Sequence, residues 1–117
     1  KNGSGETLML GNIGIHRDWG LASEYVDAMW RMLQQESADD FVIATGKSNS
    51  LKEFVVEAFS YLDLDWHEHV QVDLSLMRPS DITISCGDAA KAKAVLGWQS
   101  EATLKDIVHT MIGGCDN

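Results

Sequence analysis

Hydrophobic residues recur at helical spacing in several parts of the chain, most clearly over residues 51–62. Apolar side chains there stand at i, i+3, i+4, i+7, i+8 and i+11, which places them on one face of a helix. Ser50 and Glu53 match a capping box, in which each side chain bonds the backbone N–H of the other. Thr103 and Asp106 form a weaker box before a last apolar stripe that two glycines end. Both patterns predict helices that begin just after their capping residue.

Two further patterns bring the expected number of helices to about four. Residues 20–35 carry one apolar stripe, formed by Leu21, Tyr25, Met29, Met32 and Leu33 and widened by Val26 and Trp30. Residues 89–96 follow a candidate N-cap, Asp88, and end at Gly97, the residue type that most often stops a helix. We expect the stripe of the first helix, including Trp30, to lie in the core, where Trp98 should join it.

Short apolar runs predict strands between these helices. Residues 7–10 end in a turn, and residues 41–44 form a continuous apolar run typical of a strand buried on both faces in a parallel sheet. With the helix between them, the two runs predict a βαβ unit. Alternation over 70–76 and 82–84 indicates extended segments on either side of Arg78-Pro79. The fold class that follows is α/β, a single domain over residues 1–117 with short parallel strands.

Charge and cysteine content limit the partners and the setting. The chain of 117 residues has 18 acidic and 9 basic residues, a net charge of −9 that disfavours nucleic acid. No apolar stretch is long enough to cross a bilayer, so we expect no membrane contact. Two cysteines without a CxxC motif favour a reduced, cytoplasmic setting, with Cys86 as a small buried residue.

Several short motifs follow one another in a fixed order. They are Leu10-Gly11-Asn12, Arg17-Asp18-Trp19-Gly20, Tyr25-Val26-Asp27-Ala28-Met29-Trp30, Met32-Leu33-Gln34-Gln35, Asp40-Phe41-Val42-Ile43-Ala44-Thr45-Gly46, Arg78-Pro79-Ser80-Asp81, Gly87-Asp88, Lys91-Ala92-Lys93 and Leu96-Gly97-Trp98. In this order the motifs resemble the second half of GDP-mannose 4,6-dehydratases, members of the extended short-chain dehydrogenase/reductase group. That resemblance implies a small lobe that binds a nucleotide sugar and belongs with an NADP-binding Rossmann domain.

The parts that such an enzyme needs for hydride transfer are missing from the sequence. It contains no GxxGxxG fingerprint after a strand and no Tyr-x-x-x-Lys motif. We therefore expect a lobe without the Rossmann domain, with no cofactor in this chain and no catalytic residue, while NADP would serve a full-length relative. Two departures concern the nucleotide pocket: Leu76-Met77 replaces an aromatic pair, and the connection over residues 63–70 is shorter than usual.

The resemblance implies that two arginines hold the diphosphate of the nucleotide sugar. Arg17 and Arg78 occupy the two motif positions, and a planar guanidinium pairs well with phosphate oxygens. The alternative is a salt bridge, from Arg17 to Asp18 or from Arg78 to Asp81. Asp81 matches the residue that accepts ribose hydroxyls in relatives, although a solvated carboxylate at a strand end is an equal alternative.

The remaining candidates are a base-contact segment and a possible metal site. Leu10, Gly11 and Asn12 resemble the segment near the guanine base, where small residues allow close backbone approach, and a simple turn explains them equally well. His67 and His69 would face the same way on a strand and could bind a metal, but no third ligand is identifiable. We expect no metal.

Three functions are compatible with these observations. The first is the substrate-recognition lobe of a GDP-mannose 4,6-dehydratase-like protein, which binds GDP-mannose or a related GDP-sugar and is inactive alone. The second is a truncated, self-associating interaction module without activity. The third is a lobe of a reductase or epimerase acting on another nucleotide sugar. In each case we expect a homo-oligomer or a Rossmann-domain partner, because the isolated lobe exposes apolar surface.

Overall fold

The computed structural model describes residue 3 and residues 5–114. The strands are β1 (Leu8–Leu10), β2 (His16–Arg17), β3 (Asn49–Ser50) and β4 (Val70–Val72); the helices are α1 (Ala22–Leu33), α2 (Leu51–Tyr61), α3 (Trp66–His69), α4 (Ala90–Leu96) and α5 (Leu104–Gly113), and a 3₁₀ turn, η1, spans Leu74–Leu76. The α/β class is confirmed. The described chain has five α-helices because α3, a single turn, adds to the expected four.

The strands form two small sheets. β1 and β4 pair in parallel, with Leu8 opposite Val70, and the first three helices lie in the crossover between them. β2 and β3 pair antiparallel, with Arg17 opposite Asn49. Short parallel strands are thus present, although the partner of β1 is β4, more than 50 residues later in the chain.

The strand expected at residues 41–44 does not form. The segment has no strand assignment, and its N–H and C=O groups make no hydrogen bond to another described backbone. Phe41 and Ile43 pack against the core, whereas Val42 is 55% exposed. The prediction of a strand buried on both faces was wrong here, because no neighbouring strand in the described chain reaches the segment.

The core joins α1 to α4 and to the turn that follows α4. Its buried members are Ala28, Ala92, Leu96 and Trp98. The indole N–H of Trp98 donates to the Glu24 carbonyl at 2.9 Å, and the Tyr25 ring meets the indole edge-on. A second packed unit forms where α2 crosses α5, with Val55, Ile107 and Val108 buried.

The capping predictions are largely confirmed. Ser50 with Glu53, and Thr103 with Asp106, both form complete capping boxes. Gly97 ends α4 in the left-handed region, at φ 62°. Glycine suits that conformation because it has no Cβ.

The apolar stripe of α1 divides into two faces. Tyr25, Ala28 and Met32 turn towards the core. Four residues of the stripe are exposed: Val26 at 61%, Met29 at 58%, Trp30 at 60% and Leu33 at 82%. The expectation that Trp30 is a core residue was therefore wrong, while that for Trp98 is confirmed.

Candidate functional site

β2 brings two distant motifs together. The His16 N–H donates to the Thr83 carbonyl at 2.8 Å, and the Ser85 N–H donates to the His16 carbonyl at 3.1 Å. A parallel bridge also links His16 to Ile84. The strand that carries Arg17 therefore lies beside the segment that carries Asp81.

Arg17 pairs with Asp81 across this contact. Its Nη2 donates to Asp81 Oδ1 at 2.9 Å, and its Nη1 donates to the carbonyls of Ile82 and His16 at 2.6 and 2.8 Å. The side chains are 29% and 22% exposed. Since a guanidinium has five N–H groups, two remain for a ligand. The salt bridge that forms is neither of the two considered from sequence.

Arg78 lies in the exposed loop between η1 and Asp81. Within the described chain its guanidinium makes no ion pair or hydrogen bond. The loop places Arg78 three residues before the carboxylate that holds Arg17. Arg78 thus retains its full set of donors at the edge of the same site.

Residues 10–12 approach the loop from the side of β1. The Asp73 N–H donates to the Leu10 carbonyl at 2.7 Å. A Cβ on Gly11 would stand 2.8 Å from the Leu76 carbonyl oxygen. Asn12 accepts a hydrogen bond from the backbone N–H two residues later, as in a turn. The close approach that Gly11 permits is therefore to the chain itself, on the segment that leads to Arg78.

All six sequence-derived candidates thus lie on connected segments. We call Leu10, Gly11, Asn12, Arg17, Arg78 and Asp81 the arginine site. These six residues line none of three clefts found elsewhere, including one of about 640 Å³ between α2 and α5. The Arg17 guanidinium, with two free N–H groups beside the Asp81 carboxylate, and a second arginine on the same loop can bind an anion that also offers hydroxyl groups.

Asp18, next to Arg17, has a structural role that the sequence did not indicate. Its carboxylate accepts hydrogen bonds from the Thr45 hydroxyl and from the N–H groups of Thr45, Gly46 and Gly87. Partial burial would raise the pKa of Asp18, but these hydrogen bonds outweigh it and hold the pKa below its ordinary value. Asp18 therefore fixes the loop after residue 44 and the entry to α4.

Cys86 lies at the edge of this arrangement and is exposed. Its Sγ is 3.9 Å from an Asp18 carboxylate oxygen. The expectation of a buried cysteine was wrong, because the residue precedes Gly87 on the outer side of the loop. Cys115 lies outside the described residues.

Glu24 plays a similar part for the approach to α5. Its carboxylate accepts from the Ser100 hydroxyl and from the N–H groups of Glu101 and Ala102 at 3.0 Å. Burial would raise the pKa of Glu24, but these hydrogen bonds and the nearby Lys47 charge lower it. α1 is thereby tied to the segment that leads into α5.

A comparison with known families matches nearly the whole chain. A family model described as GDP-mannose 4,6 dehydratase matches residues 1–111. The chain belongs to the GDP-mannose 4,6-dehydratase family. The resemblance recognised in the sequence is thereby confirmed.

Curated family members are considerably longer than this chain. GDP-mannose 4,6 dehydratase 1 of Arabidopsis thaliana is 47% identical over 105 residues, which cover 90% of this chain and 29% of the relative. The Dictyostelium discoideum protein is 39% identical, covering 94% of this chain and 36% of the relative. The chain thus corresponds to about a third of these full-length dehydratases.

The two relatives differ in length within the matched region. The alignment with the Arabidopsis protein has 105 positions, and 90% of the 117 residues of this chain is also about 105. The alignment is therefore as long as the part of this chain that it covers. The Dictyostelium alignment has 127 positions, more than this whole chain contains. Because these lengths do not locate the extra positions along the chain, the shorter connection over residues 63–70 stays a prediction.

Solved structures show the same fold within larger chains. RMD from Pseudomonas aeruginosa, complexed with NADPH, superposes with a TM-score of 0.80 at 19% identity, over 92% of this chain and 35% of that one. dTDP-glucose 4,6-dehydratase from Bacillus anthracis, in complex with NAD, gives 0.82 at 16% identity, over 96% and 35%. These neighbours establish the fold of this family member.

The start of α2 does not fit the dinucleotide that those neighbours hold. β3 runs directly into α2 without a glycine-rich turn. The first N–H groups of α2, on Leu51 and Lys52, donate to the carbonyls of Ile15 and Ile13 at 2.9 Å. Because a pyrophosphate needs free N–H groups at a helix start, α2 offers no such cradle.

His67 and His69 have other contacts. They lie on the short helix α3 and not on a strand. His67 Nδ1 is 2.8 Å from Asp65 Oδ1, and the His69 ring stacks on Phe59. Within the described ranges no three potential metal ligands cluster.

None of the described helices has the length and hydropathy that crossing a bilayer requires.

Proposed function

We propose that this chain is the substrate-recognition lobe of a GDP-mannose 4,6-dehydratase-like protein and binds the diphosphate of a GDP-sugar. The observation that carries the proposal is the placement of Arg17 beside Asp81, with Arg78 on the same loop. Arg17 has two unused N–H groups there, and Arg78 follows on the same exposed loop, in a chain of net charge −9. A local cationic site in an acidic protein requires specific placement of its few arginines.

Different residues of the arginine site suit different parts of the ligand. The diphosphate would accept from Arg78 and from the two remaining N–H groups of Arg17, each charge-assisted bond contributing about 1.5–3 kcal/mol before binding costs. An ionised carboxylate accepts hydrogen bonds and donates none, so Asp81 suits the ribose hydroxyls, which can donate. Gly11 and Asn12 would lie on the side of the base.

Structural neighbours support a nucleotide-sugar ligand. MoeE5 has been solved with UDP-glucuronic acid and NAD, and the Bordetella bronchiseptica enzyme WbmG with NAD and UDP. Their fold is that of this chain, with TM-scores of 0.81 and 0.76. The choice of GDP over UDP rests on the family to which the chain belongs.

Alone, the lobe would not be catalytic. Conversion of GDP-mannose to its 4-keto-6-deoxy product requires oxidation at C4, loss of water across C5 and C6, and return of the hydride to C6. The sequence contains neither the glycine-rich fingerprint nor the Tyr-x-x-x-Lys motif expected for the hydride transfer. In the complete protein this lobe would supply substrate binding, and another domain would supply the redox chemistry.

Calorimetric titration tests the proposal. GDP-mannose and GDP are titrated at low salt into the chain, into an Arg17→Ala, Arg78→Ala variant, and into Lys93→Ala, Lys105→Ala. The control loses the same charge at exposed lysines outside the arginine site. We expect saturable binding that the arginine variant loses and the lysine variant keeps. No heat at millimolar ligand, or equal loss in both variants, would sink the proposal.

A second function is favoured by the exposed face of α1. A chain with four exposed large apolar residues on one helix could act as a self-associating interaction module. Analytical ultracentrifugation decides this: a dimer that Trp30→Glu dissociates would support the module, and a monomer at high concentration would exclude it.

A further inference from the structure

The cleft of about 640 Å³ between α2 and α5 gathers positive charge. Lys47, Lys52 and Lys105 line it, three of the nine basic residues in a chain that has 18 acidic ones. They come from three separate segments, the loop before β3 and the first turns of α2 and α5. We call this feature the lysine cleft. Basic residues are scarce in this chain, so their placement around one cleft calls for a physical reason.

The ammonium groups of these lysines have no anionic partner in the part of the chain that the structure describes. None of the three forms an ion pair there. Lys52 Nζ lies 5.7 Å from the centroid of the Trp66 ring, which is a cation–π distance. That contact holds the ammonium group in place without neutralising its charge. The lysine cleft therefore offers three positive charges to a ligand.

The two carboxylates that line the same cleft are already engaged. Glu53 accepts hydrogen bonds from the N–H and the hydroxyl group of Ser50, at 2.6 and 2.9 Å. Glu57 Oε1 lies 2.9 Å from His109 Nε2. Both acidic side chains thus serve contacts within the fold and are not paired with the lysines.

Two of the lysines occupy positions that oppose helix stability. Lys52 and Lys105 are each the second residue of a helix. The partial positive charge at a helix start favours acidic residues and disfavours cations. The residues that follow them, Glu53 and Asp106, show the favoured type. A residue type that costs the fold stability points to a role outside folding.

We infer that the lysine cleft binds an acidic segment of a partner protein. The half-buried side chains of Val56 and Leu104 give the cleft an apolar part, which would take an apolar side chain of that segment. Ammonium groups on three separate segments complement carboxylates that are spaced along a peptide. A single compact phosphate is better matched by a planar guanidinium such as that of Arg17.

A labelled peptide tests the inference. A short fluorescein-labelled peptide of glutamate and leucine is titrated with the chain at about 0.1 M salt, where charges more than about 10 Å apart are largely screened. We expect saturable binding by fluorescence anisotropy, with amide NMR shifts that change at Lys47, Lys52 and Lys105. The matched peptide with glutamine in place of glutamate should not bind. Equal binding of the two peptides, or no binding of the acidic one, would overturn the inference.

Charge reversal separates binding from folding. Lys52→Glu and Lys105→Glu should each weaken binding of the acidic peptide about tenfold. The melting temperature should stay the same or rise, because each change places an acidic residue in a first helical turn. Lys93→Glu makes the same charge change on α4, outside the lysine cleft, and should alter the affinity less than about twofold. Lower melting temperatures in both cleft variants, or an equal loss of binding in the control, would contradict the inference.

Other occupants of the cleft would give different results. Inorganic pyrophosphate that displaces the peptide and shifts the same amides would assign the cleft to small phosphate compounds. A dimer that Lys52→Glu dissociates in ultracentrifugation would assign it to a second copy of the chain. Either result would overturn the choice of a partner protein. Peptide binding should survive Arg17→Ala with Arg78→Ala, and GDP-mannose binding should survive Lys52→Glu, so this inference and the proposed function can fail separately.

Discussion

Asp18 accepts a hydrogen bond of 3.1 Å from the backbone N–H of Gly87, 69 positions away in the sequence. The same carboxylate holds Thr45 and Gly46. One side chain thus closes three segments into a single arrangement next to the arginine site. Removal of this carboxylate should destabilise the chain well beyond the loop that carries Asp18.

Asp18→Asn should lower the free energy of unfolding at pH 7 by about 1–3 kcal/mol, because charge-assisted hydrogen bonds from two other segments, residues 45–46 and Gly87, weaken together. Urea unfolding measures the change. Asp88→Asn is the matched control, since Asp88 is exposed and accepts one hydrogen bond, from Ala90. Equal losses in the two variants would contradict the role given to Asp18.

The Asp18 carboxylate should also make the stability of the fold depend on pH in the acid range. The pKa of Asp18 is lowered in the folded state, so its stabilisation is complete above the unfolded value of about 3.9 and is lost as pH falls through the folded pKa. The difference in stability between the wild type and Asp18→Asn should therefore shrink below about pH 4. A difference that stays constant down to pH 2.5 would show that Asp18 does not contribute as its charged form.

Gly87 should not tolerate a side chain. A Cβ there would overlap the Cβ of Ala44, so Gly87→Ala should cost roughly 1–3 kcal/mol. Ala44→Gly should recover part of this loss in the double variant, which thermal unfolding measures. Gly113→Ala is the control: its Cβ would meet no atom within 4 Å, and alanine favours the helix. A neutral Gly87→Ala would disprove the close packing.

Asp81→Asn should change the affinities for inorganic pyrophosphate and for GDP in different ways. The variant releases Arg17 from its ion pair, so inorganic pyrophosphate should bind more tightly than to the wild type. GDP should gain less or lose affinity, because an amide accepts the ribose hydroxyls less strongly than a carboxylate. Calorimetry with both ligands gives the comparison. Parallel changes for the two would remove Asp81 from ribose binding.

Glu24→Gln should loosen the packing around Trp98. The variant removes the charge that accepts from Ser100, Glu101 and Ala102, and the α1 backbone that accepts from Trp98 should shift with it. We expect a lower melting temperature and a weaker near-UV circular dichroism signal. Glu68→Gln, at an exposed position on α3, should change neither.

Local signals were the most reliable part of the sequence. The capping boxes at Ser50 and Thr103 place the starts of α2 and α5, because every atom they need lies within four residues. The apolar run at residues 41–44 was misleading, since composition records that a segment suits a sheet but not whether a partner strand is at hand. For the same reason the stripe of α1 gave no sign that its outer half is uncovered.

The candidate site depended on a different kind of information. Arg17, Arg78 and Asp81 were selected by resemblance, and only the structure shows that Arg17 and Asp81 are paired. Asp18 was visible in a quoted motif, but nothing local links it to Gly87. Contacts of this range follow from the way the whole chain folds and not from the spacing of residue types.

The pairing of helices has a consequence for how the chain unfolds. α1 packs with α4 around Trp98, whereas α2 packs with α5 around Val108. Asp18 and Glu24 are carboxylates that bind one helical pair to loops leading into the other. While both are ionised, the pairs should melt as one cooperative unit. Once acid protonates them, the pair around Trp98 and the pair around Val108 become separate foldons, and fluorescence and far-UV dichroism should report different midpoints.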